Sequence, residues 1–289
     1  MSGWHIGIIG GSGLYAVEGV EGGEWIRVES PWGEPSDAIL TGQLGHVRVS
    51  FLPRHGRGHR IAPEALNARA NIDCLKRLGV TDVLAVSSVG GLSEERAPGT
   101  FTLVDQFIDR TRGRPSSFFG TGMVAHVSMA DPVCPRLSGW VADAAEAAGA
   151  TTHRGGTYLA MEGPQFSTRA ESRLYRSWGC DVIGMTAMPE AKLAREAELP
   201  YALVGMVTDY DCWREEDAAV DVAQVIAQLG ANAAKARAMV VKLLRDLPPA
   251  REPSPIDTCL DTALITAPDA RDPALLAKLD AVAGRVLRV

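Results

Sequence analysis

GIIGGSGLYA, residues 7–16, is the stretch whose reading decides the fold. Gly11, Gly13 and Ala16 match the G-x-G-x-x-G/A spacing of a dinucleotide-binding turn. The same glycines suit a loop that wraps a free phosphate ion, with backbone N–H groups and the Ser12 hydroxyl as donors. The two readings make different demands on the next residues. A dinucleotide turn opens a helix and needs an acidic residue about 20 positions later, at the end of a second strand. After Gly13 the chain runs LYAVEGVEGGEW, whose three further glycines work against a long helix. Glu29 lies at a tolerable distance, but no crossover separates it from the turn. The dinucleotide reading fails on its context, which leaves a phosphate loop or a plain strand-to-loop turn.

Outward from this turn, short apolar runs alternate with helical patterns. Strands are expected at 5–10, 25–30, 38–44 and 47–53, the last three meandering antiparallel. Pro63 opens a helix that runs through Leu78 to a stop at Gly79. Further strands are expected at 82–92, 101–108, 157–163, 180–185 and 201–211, with helices over 136–149, 168–178 and 188–198. A long amphipathic helix is expected over 218–247, with Val222, Val225, Ile226, Leu229 and Ala233 on one face. The alternation implies an α/β fold: one domain over residues 1–247, a mixed central sheet flanked by helices. Residues 248–289 are richer in proline and still carry leucine and valine. They read as an ordered extension packed on its own or a neighbouring subunit.

Bulk properties narrow the classes further. Of 289 residues, 46% are hydrophobic and 22% charged, ample for a globular core. The formal charge of −6 opposes general nucleic-acid binding, although local Arg and His clusters still suit a small anion. Five scattered cysteines form no C-x-x-C pair, so neither a disulfide framework nor a structural zinc site is implied. No secretory leader and no membrane-length apolar run are visible, and a cytoplasmic protein is expected.

Four further stretches could carry chemistry. RHGRGHR (54–60) concentrates Arg54, His55, Arg57, His59 and Arg60 behind a strand; it suits a phosphate, or a solvated basic loop. SSVGGL (87–92) ends an apolar strand in two hydroxyls, Ser87 and Ser88, which would complete an anion cradle or simply pack at a strand terminus. In MVTDYDCW (206–213), Asp209 and Asp211 share a face if the strand continues. Neighbouring carboxylates raise each other's pKa, and a retained proton is what a general acid requires. An Asx turn would use the same residues. AMEGPQFSTRAES (160–172) and VIGMTAMPE (182–190) place Phe166 and Met185 near turns, where either is as consistent with core as with a ligand.

In this order, GIIGGSGL, RHGRGH, SSVGGL, DQFIDRT, EGPQFSTRAES, GMTAMPE and TDYDCW resemble the methylthioadenosine phosphorylase family, among the trimeric purine nucleoside phosphorylases. The resemblance covers about residues 5–247. It implies a phosphate site of Ser12, Arg54, His55, Ser87 and Thr186, with serine at two positions where the family often has threonine. It implies Ser88 beside sugar and phosphate, Met185 under the ribose and Phe166 near the base. Asp209 and Asp211 would face the purine N7 and 6-amino edge. His126, Val222 and Val225 match positions lining the pocket for the 5′ substituent. The implied activity is phosphorolysis of 5′-methylthioadenosine to adenine and 5-methylthioribose 1-phosphate, with inorganic phosphate as co-substrate, no cofactor, no metal, and a homotrimer or dimer of trimers. Rival substrates are adenosine, a 5′-halogenated deoxyadenosine and methylthioinosine, since the tail beyond Leu247 does not align with the family pattern. A non-catalytic nucleoside or phosphate sensor on the same fold and a dehydrogenase are the readings from other classes.

Overall fold

The computed structural model describes residues 3–11, 14, 18–214 and 222–287. Ser12, at the centre of the opening turn, lies outside them, as does the expected start of the long helix at 218–221. In chain order the first elements are β1 (His5–Gly10), β2 (Glu21–Ile26), β3 (Ile39–Leu44), β4 (Val47–Pro53), α1 (Ala68–Arg77) and β5 (Asp82–Gly91). Next come β6 (Phe101–Val104), β7 (Gln106–Asp109), α2 (Pro135–Ala147), β8 (Thr152–Arg154), β9 (Thr157–Ala160), α3 (Arg169–Ser177) and β10 (Val182–Gly184). The chain continues with α4 (Ala187–Glu196), β11 (Tyr201–Asp209), α5 (Val222–Asp246), α6 (Pro273–Lys278) and α7 (Gly284–Leu287).

The strands form one mixed sheet. Its main path runs β2-β3-β4-β1-β5-β10-β9-β7, and β11, β6 and β8 branch from β5. β4, β1, β5 and β11 are mutually parallel where they pair. Their carboxyl ends therefore emerge on one edge, where α/β sheets place ligands. β1 pairs with β5 only as far as Ile9 and Ala85, whereas β5 runs on to Gly91 beside β10 and β11. The sheet thus splits at that edge, and the split is where the site forms.

Both faces are covered. Ile72 and Leu75 of α1 and Ala191, Leu193 and Ala194 of α4 pack on one face, together with Leu260, Leu279 and Val282 of the tail. Leu137 and Val141 of α2 and Met239, Val240, Leu243 and Leu244 of α5 cover the other. A smaller cluster of Leu159, Tyr175, Ile183 and Trp213 lies under α3. Each fully buried Leu, Ile, Val or Met among them contributes roughly 1.5–3 kcal/mol. Ion pairs also hold the tail: Arg251 meets Asp82 at 2.5 Å, Arg77 meets Asp280 at 2.5 Å and Arg285 meets Glu198 at 2.6 Å.

Several boundaries differ from the sequence reading. The strand expected at 25–30 lies at 21–26 instead, because it pairs only with β3 and its exposed residues leave no apolar imprint. The helix expected from Pro63 is a short 3-10 turn followed by α1, with Asn67 between them capping the Ala70 N–H. FTLVDQFI is two strands. Asp105 separates them by exchanging bonds with Gly156, and β6 pairs β11 and β8 while β7 pairs β9. On α5, Ile226 is 61% exposed, so the first turns of the expected apolar face do not seal the core there.

Candidate active site

Arg54 follows β4 directly and enters the split between β1 and β5. It is almost fully buried, at 2% exposure. One amino group donates to the Val86 carbonyl at 2.9 Å, and the other to the Ile9 carbonyl at 3.3 Å. The guanidinium also grips Glu190 bidentately, at 2.9 and 3.1 Å. Tyr201 donates to the same carboxylate at 2.9 Å. Four of the five guanidinium N–H donors are therefore held by protein, and one has no partner among the described residues. Glu190 sits in the first turn of α4, since Met188 is non-helical (φ −115°, ψ 134°) and the regular helix starts at Pro189. A carboxylate there is favoured by the helix dipole. Burial opposes the Arg54 charge, but Glu190 outweighs it and holds the guanidinium above its ordinary pKa.

Ser87 of β5 and Thr186 at the head of α4 lie beside this pair. Their hydroxyls are 3.2 Å apart, and the Thr186 N–H donates to the buried Tyr158 hydroxyl at 3.4 Å. His55 stacks on His59 with ring centres 4.3 Å apart, and Nδ1 meets the Ile61 carbonyl at 2.9 Å. Burial, with Arg54 and His59 acting in the same sense, pushes its pKa down to about 4. The ring is neutral at pH 7. A carbonyl only accepts, so Nδ1 carries the proton and Nε2 is left as an acceptor.

The two aspartates stand further along β5. The strand does not continue through both of them, as the sequence pattern supposed. β11 ends at Asp209, and Asp211 lies in a turn with φ of 54°. What joins them is an Asx turn: the Asp211 N–H donates to Asp209 Oδ1 at 2.8 Å. Thr208 donates to Asp209 Oδ2 at 2.7 Å. Gly90 is packed against both acids; a Cβ there would fall 3.1 Å from Asp209 Oδ1 and 3.4 Å from the Asp211 Cβ. The turn is held by Trp213, which donates to the Gly91 carbonyl at 2.8 Å, and by Cys212, whose thiol donates to the Ser167 carbonyl at 3.2 Å. Burial raises the pKa of both aspartates. Hydroxyl and amide donors oppose it at Asp209; at Asp211, Ser172 opposes it and the charge of Asp209 adds to it. Among the described residues neither acid is ion-paired.

Between cradle and acids, Ser88 is exposed on β5. Met185 precedes Thr186, and a Cβ at Gly163 (φ 72°) would lie 2.5 Å from the Met185 sulfur, so loops 161–168 and 184–188 touch. Arg114 fastens them, donating to the carbonyls of Met185 (2.7 Å) and Glu162 (2.6 Å). Phe166, on the first of these loops, is 47% exposed. His126 is exposed, and its backbone N–H donates to the Ala263 carbonyl at 2.9 Å. Val222 and Val225 lie in the first turn of α5, and their side chains are outside the described residues. Sequence reasoning missed Glu190, Tyr201, Tyr158 and Arg114. Glu190 stands in GMTAMPE, where an acid at a helix start 136 positions from Arg54 is a signal legible only once both are placed. Among the described residues, no three His, Cys, Asp or Glu side chains are arranged to hold a metal ion. No helix among them is long and apolar enough to cross a membrane.

Residues 5–245 match the model of the phosphorylase superfamily. The S-methyl-5′-thioadenosine phosphorylase of Cereibacter sphaeroides is 61% identical over 285 residues, covering 98% of each chain. Among solved structures, a methylthioadenosine phosphorylase from an antarctic soil metagenomic library superposes with a TM-score of 0.92 at 44% identity, over 98% of this chain and 99% of that one. The methylthioadenosine phosphorylase of Schistosoma mansoni, in complex with adenine, reaches 0.78 at 35% identity, over 84% of this chain and 91% of that one. On the fold and on these likenesses together, the chain belongs to the phosphorylase superfamily.

Proposed function

We propose that the protein cleaves 5′-methylthioadenosine with inorganic phosphate, giving adenine and 5-methylthioribose 1-phosphate. The observation that carries this reading is the edge of β5. It holds a charge-compensated cradle around Arg54, Ser87 and Thr186 at one point, and at Gly90 two acids, half-buried Asp209 and buried Asp211, with no cation partner among the described residues. Near-full-length similarity to methylthioadenosine phosphorylases supports it.

In this reading Ser12, Arg54, Ser87 and Thr186 donate to phosphate, and His55 Nε2 accepts from a protonated phosphate oxygen. Phosphate is the nucleophile at C1′. Its charge stabilises the cationic sugar that develops as the N-glycosidic bond breaks, and its placement supplies proximity. Ser88 and Met185 hold the ribose and Phe166 covers the base. Asp209 gives a proton to N7 of the departing purine, and Asp211 accepts from the 6-amino group. A 6-oxo purine would leave that buried acceptor facing another acceptor, which is penalised. His126, Val222 and Val225 shape the 5′ pocket. In this reading the chain assembles as a homotrimer or a dimer of trimers. Residues 1–247 form the phosphorylase domain and 248–289 an extension on it. The reaction needs no cofactor, and we place the enzyme in the cytoplasm, in purine and methionine salvage.

Relative kcat/KM values for methylthioadenosine, adenosine, a 5′-halogenated deoxyadenosine and methylthioinosine, at saturating phosphate, test the assignment. Methylthioadenosine is expected to be cleaved best and methylthioinosine worst. Preference for methylthioinosine would overturn the roles of the acids. No turnover on any nucleoside would favour a binding protein.

A further inference from the structure

Adjacent side chains of a regular strand point to opposite faces, yet Thr208 and Asp209 meet. The cause is a bulge in β11. Val207 pairs with Val89 and Asp209 with Gly90, so Thr208 is an extra residue against β5. Bulges of this kind re-aim side chains beside active sites. The bend is held from two sides, because the Val207 carbonyl accepts from the Gly99 N–H at 2.9 Å and from Asn232 Nδ2 at 3.0 Å.

The Thr208 hydroxyl oxygen lies 2.7 Å from Asp209 Oδ2 and 3.2 Å from the Val89 carbonyl oxygen. A threonine hydroxyl has one proton to donate, and a carbonyl only accepts. Both contacts are hydrogen bonds at once only when Asp209 supplies the second proton. When Asp209 is ionised, the hydroxyl serves the carboxylate and leaves Val89. One arrangement of heavy atoms therefore accommodates both protonation states.

We propose that Thr208 is a positioning residue that holds the proton of Asp209 in the free enzyme and replaces it once it has been given away. The proposal rests on the reading of Asp209 as donor to the purine N7. Before substrate binds, Asp209 Oδ2–H donates to Thr208 and Thr208 donates to Val89. With purine in place, the Oδ2 proton turns to N7 and the Thr208 O–H swings to Oδ2. As the C1′–N9 bond breaks, its electron pair passes to the base while a phosphate oxygen bonds to C1′. The Asp209 O–H bond breaks, the proton forms N7–H, and the electron pair stays on the carboxylate. That new charge meets two donors already in place, the Thr208 hydroxyl and the Asp211 N–H at 2.8 Å. Reorganisation is limited to the turn of two O–H bonds, both made before the proton is transferred.

The surroundings of Asp209 set the sign of the pH effect. Burial favours the neutral acid, and Thr208 opposes it by bonding more strongly to the carboxylate than to the acid. Asp211 is the ionisable neighbour; behind it stand Ser172 and Tyr175 of α3, Ser167 and the Cys212 thiol. Removing the hydroxyl keeps Asp209 protonated to higher pH.

The test is kcat against pH with methylthioadenosine at saturating phosphate, for wild type, Thr208→Val, Thr208→Ser and Asp209→Asn. The valine variant is expected to lose about tenfold in kcat and to move the basic limb up by about one pH unit, with KM for phosphate unchanged. Serine is expected to restore both. If the valine variant does not fold, Thr208→Ala is measured for the same shift. A valine or alanine profile whose limb coincides with wild type, whatever its Tm, overturns the proposal and leaves Asp209 standing. An Asp209→Asn enzyme with wild-type kcat and limb overturns the underlying reading instead.

Discussion

The two ends of the β5 edge are built from opposite electrostatics. At Arg54, a cation is buried against a carboxylate and two strand carbonyls, so its charge is fixed and one N–H has no partner among the described residues. Asp209 and Asp211 stand among hydroxyl and amide donors with, among the described residues, no cation. A compensated charge cannot change its protonation at neutral pH, which suits the phosphate binding proposed for it. Burial pushes an uncompensated carboxyl upward, toward the protonated form that the proposed transfer to the purine requires. The neutral His55 belongs with the first end, since its ring cannot charge near pH 7.

The largest effect that tests this division is Asp209→Asn, expected to lower kcat by about 10²–10⁴ with both KM values nearly unchanged. A loss confined to KM would break the comparison, because it would make the acid a binding group. Arg54→Met should do the reverse. It leaves Glu190 buried without its partner, and denaturant titration should show a loss of about 3–5 kcal/mol. KM for phosphate should rise at least tenfold more than KM for nucleoside.

Glu196 sharpens the contrast from outside the site. It is buried, accepts from the Ser117 hydroxyl and the Phe118 N–H, and burial pushes its pKa up to about 7. A raised carboxyl contributes stability that is full below its unfolded pKa and is lost as pH rises through the folded one. Wild type should therefore lose roughly 2–3 kcal/mol between pH 5 and pH 8 relative to Glu196→Gln, measured by denaturant titration at each pH. An equal pH dependence in both would remove Glu196 as a titrating group. The smallest effect is Phe166→Ala. Its ring is half-exposed, so KM for nucleoside should rise a few-fold, about 1 kcal/mol, with KM for phosphate constant.

Much of the frame was legible because it is local. Apolar runs marked β1, β3, β4, β5 and β11 within a residue or two, and Thr168 with Glu171 forms the capping box that starts α3. What was hidden depends on pairing between distant segments. β2 is an exposed edge, so its alternation carries no burial signal. The bulge at Thr208 exists only in register with β5, and a sequence pattern of period two places Asp211 wrongly across it. Glu190 and Tyr201 look like ordinary helix and strand residues until Arg54 arrives between them. Ser12, the hydroxyl on which the reading of the opening turn rests, lies outside the described residues.

Product analysis with and without phosphate tests the central claim most directly. Purified protein incubated with methylthioadenosine should release adenine only when phosphate is present, with an equal amount of 5-methylthioribose 1-phosphate. No adenine in excess phosphate, or equal adenine with free 5-methylthioribose when phosphate is absent, would contradict it.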